Sequence, residues 1–196
     1  MAENNKRSSN LSCIKPAIRY SVILADPPWA YRDKCVAGHR GESFKYPCMS
    51  LTELSCLVVG EWPVQDIGAD DSALFLWTTA PMFNTALQLM GAWEYDYKTV
   101  AFTWVKPTAG GHWAWGMGNH TRANAEFCLL GMRGRLRRVS ASVHSLVVAM
   151  RREHSRKPDE VRDRITKLYG DVPRIELFAR GQAADGWDCH GDEVLR

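Results

Sequence analysis

The chain contains no apolar run of the roughly 18–20 residues needed to cross a bilayer. Its first residues, MAENNKRSSNLSCIKP, lack the apolar core of a secretory signal. They read as a polar tail over 1–18, and the protein is expected in the cytoplasm. Six cysteines, at 13, 35, 48, 56, 128 and 189, include no CxxC pair, and no Cys/His set has zinc-ligand spacing. No metal is expected, and the cysteines are expected as small buried apolar side chains. There is no GxxxxGK followed by Ser or Thr, which argues against a phosphate-binding NTPase loop, and no internal repeat.

What is present fits one α/β domain over 19–196, since 196 residues leave little for a second. Apolar residues make up 45% and charged residues 24%, a globular profile. The net charge of +3 is unevenly spread: residues 131–164 hold 10 Lys+Arg against 4 Asp+Glu. Arg133, Arg135, Arg137, Arg138, Arg151, Arg152, Arg156 and Lys157 lie there and suit a phosphate-facing surface; a solvated loop and helix face is the alternative.

Six segments have strand character: 20–25 (YSVILA), 72–77 (SALFLW), 99–105 (TVAFTWV), 126–131 (EFCLLG), 145–150 (SLVVAM) and 174–179 (RIELFA). They are mostly unbroken by polar residues, as in strands buried on both faces. Helices are predicted over 51–59, 81–91 and 158–169, the last opening on proline and two acids, with Val161, Ile165 and Leu168 on one face. The alternation predicts a mainly parallel sheet with helices on both faces. Two long connections, 30–50 and 106–122, are expected as lids beside strand ends.

In such sheets ligands bind beyond the carboxyl ends of the strands. The first strand delivers Asp26-Pro27-Pro28-Trp29 there. An exocyclic adenine amine is a poor nucleophile, because its lone pair is delocalised into the ring. Acceptors that hold its two hydrogens bring the lone pair out of conjugation. Asp26 and the Pro27 carbonyl are the expected acceptors, with Pro27 and Pro28 stiffening the turn and Trp29 stacking on a base swung out of its helix. A plain turn after a strand would use similar residues.

The order of further motifs is more specific. ILADPPW (23–29), Tyr46 before Met49-Ser50, LFLWTT (74–79), WVKP (104–107), Arg122, Glu126-x-Cys128 before LLG, SRKPDE (155–160), IELFAR (175–180) and GW…GDEV (186–194) occur in sequence. In this arrangement the chain resembles the family of the eukaryotic messenger-RNA adenine methyltransferase and its bacterial and phage relatives. The resemblance covers about 20 to 193 and implies a Rossmann-like class I fold that uses S-adenosyl-L-methionine, with a permuted motif order. It implies methylation of adenine N6 in nucleic acid by a bacterial or phage-type member. DNA is favoured over RNA, because the chain has no separate target-recognition domain. Cytosine-N4 methylation and a non-catalytic nucleic-acid-binding subunit are the alternatives, and a homodimer is one expected means of supplying specificity.

For the cofactor the resemblance implies Lys157 on the methionine carboxylate and Asp26 near the methionine amine. Phe178 and Arg180 would lie on the adenosine side, with Gln182, Asp192 and Glu193 at the ribose and adenine end. The chain departs from the family at Ala179, Gln182-Ala183 and Asp192. For substrate, Tyr46, Lys106, Arg122, Glu126, Arg135, Arg137 and Arg138 are candidates beside Trp29. Lys106 reads equally as a phosphate or base contact and as a surface lysine. Arg122 and Glu126, four apart, suit an ion pair shaping a lid or direct base contact. The stretch GGHWAWGMG (110–118) joins flexibility to aromatic faces.

Overall fold

The sheet is built around the run YSVILA. In the computed structural model, which describes residues 16–30, 48–116, 118, 120–152, 156–181, 183–191 and 193–194, this run is strand β1 (Tyr20–Ala25). Side chains alternate across a strand, so Ile23 and Ala25 enter one apolar cluster while Val22 and Leu24 enter another on the opposite face.

Along the chain follow α1 (Leu51–Ser55), β2 (Val58–Val59), β3 (Trp62–Pro63), α2 (Val64–Ile67), β4 (Gly68–Thr78) and α3 (Phe83–Ala92). Then come β5 (Asp96–Val105), β6 (Glu126–Arg133), β7 (Leu146–Val148), α4 (Glu160–Tyr169), β8 (Arg174–Leu177), β9 (Arg180–Gly181), β10 (Asp188–His190) and β11 (Glu193–Val194). Seven strands form one sheet in the order β10-β8-β1-β4-β6-β5-β7. β1 lies parallel to β4 and β8, β8 to β10, and β5 to β7. Only β6 runs against its neighbours. The described part of the β5–β6 connection contains no helix to carry the chain over the sheet, so β6 returns beside β5. The carboxyl ends of β1, β4, β5, β7 and β8 therefore share one edge.

Element boundaries shift for local reasons. Helix α1 is entered through a capping box, Ser50 with Glu53. It stops at Ser55, short of the expected 59, because Val58–Val59 pair with Trp62–Pro63 around Gly60 at φ 64°. The expected strand over 145–150 is only β7, which has a neighbour on one side. β8 ends at Leu177 because Phe178 takes φ 60°. On α4, Val161, Ile165 and Tyr169 are buried and Leu168 partly so, as its periodicity predicted. The cysteines divide: Cys128 is buried, Cys56 is exposed. Among the described residues no helix is long and apolar enough to cross a membrane.

Arg133, counted above among the phosphate-facing cations, has a structural role instead. Its guanidinium donates to the carbonyls of Gln65 at 2.6 Å and Trp93 at 2.8 Å, and lies 4.7 Å from the centre of the Tyr95 ring. It closes the end of β6 against α2 and the end of α3. Arg133→Ala should cost about 2 kcal/mol by stripping those carbonyls of their donors. A urea midpoint equal to that of the wild type would contradict this.

Candidate active site

Asp26-Pro27-Pro28-Trp29 leaves the carboxyl end of β1 as a tight turn. The Trp29 N–H donates to the Pro27 carbonyl at 2.9 Å, and the Met49 N–H to the Pro28 carbonyl at 2.9 Å. The turn is thus fixed to the capped start of α1. The Pro27 carbonyl keeps one lone pair for another donor. Trp29 corrects the expectation of an open stacking face. It is 6% exposed, packs in the core cluster with Ala25, Leu54 and Leu76, and donates its indole N–H to the Trp77 carbonyl at 3.0 Å. An indole buries readily once its one polar atom has a partner, and the end of β4 supplies it.

Beside the turn stands a row of alternating charges. The Lys157 ammonium lies 2.8 and 2.7 Å from the two Asp26 oxygens and 3.3 Å from Glu126. The other Glu126 oxygen accepts from Lys106 at 2.5 Å. Asp26 follows β1, Lys106 follows β5, Glu126 opens β6 and Lys157 precedes α4, so four segments meet at one edge. Each of these side chains is at most 22% exposed, and an isolated charge there would cost several kcal/mol. Alternation of sign removes most of that cost. Burial lowers the Lys157 ammonium's proton affinity, but Asp26 and Glu126 outweigh it and hold the lysine charged above its ordinary range. Burial likewise raises the Glu126 carboxyl, and Lys157 and Lys106 outweigh it, for a net value below the usual carboxylate range. Under them the Cys128 thiol is pushed well up by burial and by Asp26.

Two substrate candidates are corrected here. Lys106 is neither on the surface nor presented to phosphate: it is 8% exposed, bound to Glu126 and 4.7 Å from the Trp104 ring centre. Glu126 takes two lysines, from positions 20 before and 31 after it, a pairing that its spacing to Arg122 did not suggest. Arg122 is exposed on the return arm of the β5–β6 connection.

A cleft opens on the other side of Asp26, lined by Leu24, Asp26, Trp77, Lys157, Glu176 and Phe178. Phe178 closes it from a left-handed backbone conformation, which strains a non-glycine residue by about 1–2 kcal/mol. The buried Trp77 indole N–H has no protein partner. A cation, an anion and an aromatic ring around one cleft fit the zwitterionic end and the ring of a methyl-donating nucleotide. Arg162 bridges Glu176 and Asp159 behind it. Arg152 and Arg156 also pair with Asp159, so part of the expected phosphate surface is engaged within the protein.

The remaining candidates separate in space. Arg135, Arg137 and Arg138 are exposed, but they follow the far end of β6, where Arg135 N–H bonds Asp71 at the start of β4. β6 has 8 residues and rises ~3.3 Å per residue, so they lie about 20 Å or more from Asp26. The antiparallel course of β6, not foreseen, carries them there. Arg151 is exposed just beyond β7, at the near edge. The backbones of Arg180 and Glu193 pair in the β9–β11 ladder beside the cleft. Tyr46, Gln182 and Asp192 lie outside the described residues, as do residues 31–47 of the first expected lid.

Comparison with known proteins places the chain in a family. The MT-A70 family profile matches residues 20–193. Type II methyltransferase M.MunI from a Mycoplasma species is 36% identical over 214 aligned residues, which cover 98% of this chain and 87% of that protein. The METTL3 subunit of an N(6)-adenosine-methyltransferase from Danio rerio is 28% identical over 172 residues, or 83% of this chain and 26% of its own. The human catalytic subunit METTL3 matches to the same extent.

The charge row has a pH signature. Glu126, held below its ordinary value, contributes stability that is present above pH ~4.5 and fades as pH falls through its lower folded value. Lys157, held above its ordinary value, contributes below pH ~10.4 and loses this only at more alkaline pH. Glu126→Gln should cost about 3 kcal/mol at pH 7 and progressively less under acid, where wild-type Glu126 is itself protonated. Urea unfolding of both proteins at neutral and acidic pH checks this; a difference independent of pH would contradict it.

Proposed function

The chain belongs to the MT-A70 family, and we propose that it transfers a methyl group from S-adenosylmethionine to N6 of adenine in DNA. The observation that carries this reading is the Asp26 carboxylate, held by Lys157 at the mouth of the cleft. When bound, S-adenosylmethionine supplies a sulfonium methyl to the amine. Asp26 accepts one N6 hydrogen, and the free lone pair of the Pro27 carbonyl accepts the other. The amine lone pair is thereby turned out of conjugation toward the cleft, and the proton lost from N6 passes to Asp26 Oδ. A hydrogen bond to a charged acceptor contributes about 1.5–3 kcal/mol, or roughly ten- to 150-fold in rate. Buried Trp29 and the two prolines hold these acceptors still.

For the cofactor, Lys157 lines the cleft and offers its positive charge to the methionine carboxylate, and Phe178 lines the adenosine side. Arg180, Gln182, Asp192 and Glu193 are assigned to the ribose and adenine end. The type II relative is matched over nearly its full length, while the chain spans about a quarter of the METTL3 proteins. The first likeness favours DNA.

A transfer assay with labelled cofactor should offer double-stranded DNA, single-stranded DNA and RNA, with the product nucleosides identified. N6-methyladenine from DNA is the expected product, and Asp26→Ala should lower the rate at least about 100-fold. Near-wild-type turnover of that variant would remove Asp26 from the chemistry. N4-methylcytosine would indicate the other amine, and cofactor binding without transfer a non-catalytic subunit. Phosphate contacts should come from the near edge: Arg151→Ala is expected to flatten the salt dependence of DNA binding by up to about one in slope. Replacing Arg135, Arg137 and Arg138 together is expected to leave that slope unchanged; the reverse pattern would restore the far end of β6 as the phosphate surface.

A further inference from the structure

Of eight tryptophans, Trp113 and Trp115 alone are exposed, at 49% and 62%. Both lie on the β5–β6 connection, and that connection is well fastened at its base. The Asn124 side chain accepts from the Lys106 N–H at 2.8 Å and donates to the Lys106 and Ala114 carbonyls at 2.8 and 2.6 Å. Ala114 N–H returns to the Lys106 carbonyl, and Gly116 N–H reaches the Ala123 carbonyl, joining the outgoing and returning arms. The indoles therefore project from a tongue held by backbone hydrogen bonds.

The tongue springs from the carboxyl end of β5, the edge that carries Asp26. Its base, Lys106, connects to Asp26 through Glu126 and Lys157. Tyr97, the other exposed large aromatic among the described residues, is at the opposite end of β5. Since Trp29 is buried in the core, the tongue is, among the described residues, the exposed aromatic surface at the catalytic edge. Between Val105 and Glu126 the chain has no acidic residue, so the tongue itself carries no charge that repels a phosphodiester. Exposed indoles on a fixed support beside a polyanion-tolerant edge match the means by which proteins hold unstacked bases.

We propose that Trp113 and Trp115 form a stacking platform for the bases next to the target adenine, holding them while the adenine is drawn out toward Asp26. This rests on the nucleic-acid reading above. Trp115→Ala should raise KM for double-stranded DNA about tenfold, with a much smaller effect on turnover at saturating DNA. Trp115→Phe should recover most of the loss, because a phenyl ring still stacks. The salt slope of binding should not change, since no charge is removed. A short adenine-containing duplex should also quench wild-type tryptophan emission more than that of the Trp113→Ala, Trp115→Ala double variant. Unaltered KM and equal quenching, in a wild type that does methylate DNA, would overturn the platform and leave the methyltransferase reading standing. Unequal quenching in a wild type that methylates no nucleic acid would keep the platform and reject that reading.

Discussion

The ammonium of Lys157 sits between two carboxylates that the chain brings from opposite directions, and much of the site's geometry follows from that position. Asp26 is 131 residues before it in sequence, and Glu126 opens the one antiparallel strand of the sheet. Neither carboxylate could be buried there alone. With Lys106 beyond Glu126, the row ends with equal numbers of each sign. A buried ion row of this kind gains little over apolar packing in net stability. What it provides is placement: removing any member leaves a neighbour's charge uncompensated, so β1, β5, β6 and the approach to α4 are held to one arrangement at the sheet edge. Lys157 also touches the cleft, so a ligand carboxylate there would bear on the orientation of Asp26.

The tetrapeptide is rigid for a related reason. Both proline carbonyls already accept a backbone N–H, and the tryptophan ring is anchored to the end of β4. Acceptors aimed by packed core do not have to be ordered when substrate arrives, which is the economy that positioning gives to catalysis. On the other wall, Phe178 is kept in a left-handed conformation at the end of β8. Strain of this sort persists where the surrounding structure over-determines it. Here β1 and β10 flank β8, and Ala179 N–H is tied to the His190 carbonyl.

Much of the fold was legible in the sequence because its strands are continuous apolar runs. YSVILA matches β1 residue for residue, and α4 buries Val161 and Ile165 on one face. The Asp26-Pro27-Pro28 turn was legible because proline, aspartate and a strand end define its geometry locally. The fate of the Trp29 ring was not, since the same indole suits an open stacking face or a core, and only the free carbonyl at Trp77 decides. Lys106 and Glu126 are 20 apart, and no short-range pattern links them; the hairpin-like tongue does. The basic stretch misled for a similar reason. A run of arginines has no direction until the strand before it has one, and Arg133 turns inward at the strand end while Arg135 does not.

That reversal of β6 also divides the labour of binding. The far-edge arginines are about 20 Å or more from Asp26 by strand length. A nucleotide seated at the cleft would therefore find its phosphates at the near edge, where Arg151 is exposed. Arg152 and Arg156 beside it are already tied to Asp159, which leaves few charges to release counterions. With so few phosphate contacts the electrostatic part of the affinity is small and depends only weakly on salt, so a contribution insensitive to salt has to supplement it. Stacking is such a contribution, and a base drawn out of a duplex leaves neighbours with exposed faces. On the nucleic-acid reading, a surface with few free charges opens a helix more readily where something flat and apolar stands at the opening. The fastened tongue places two indoles there.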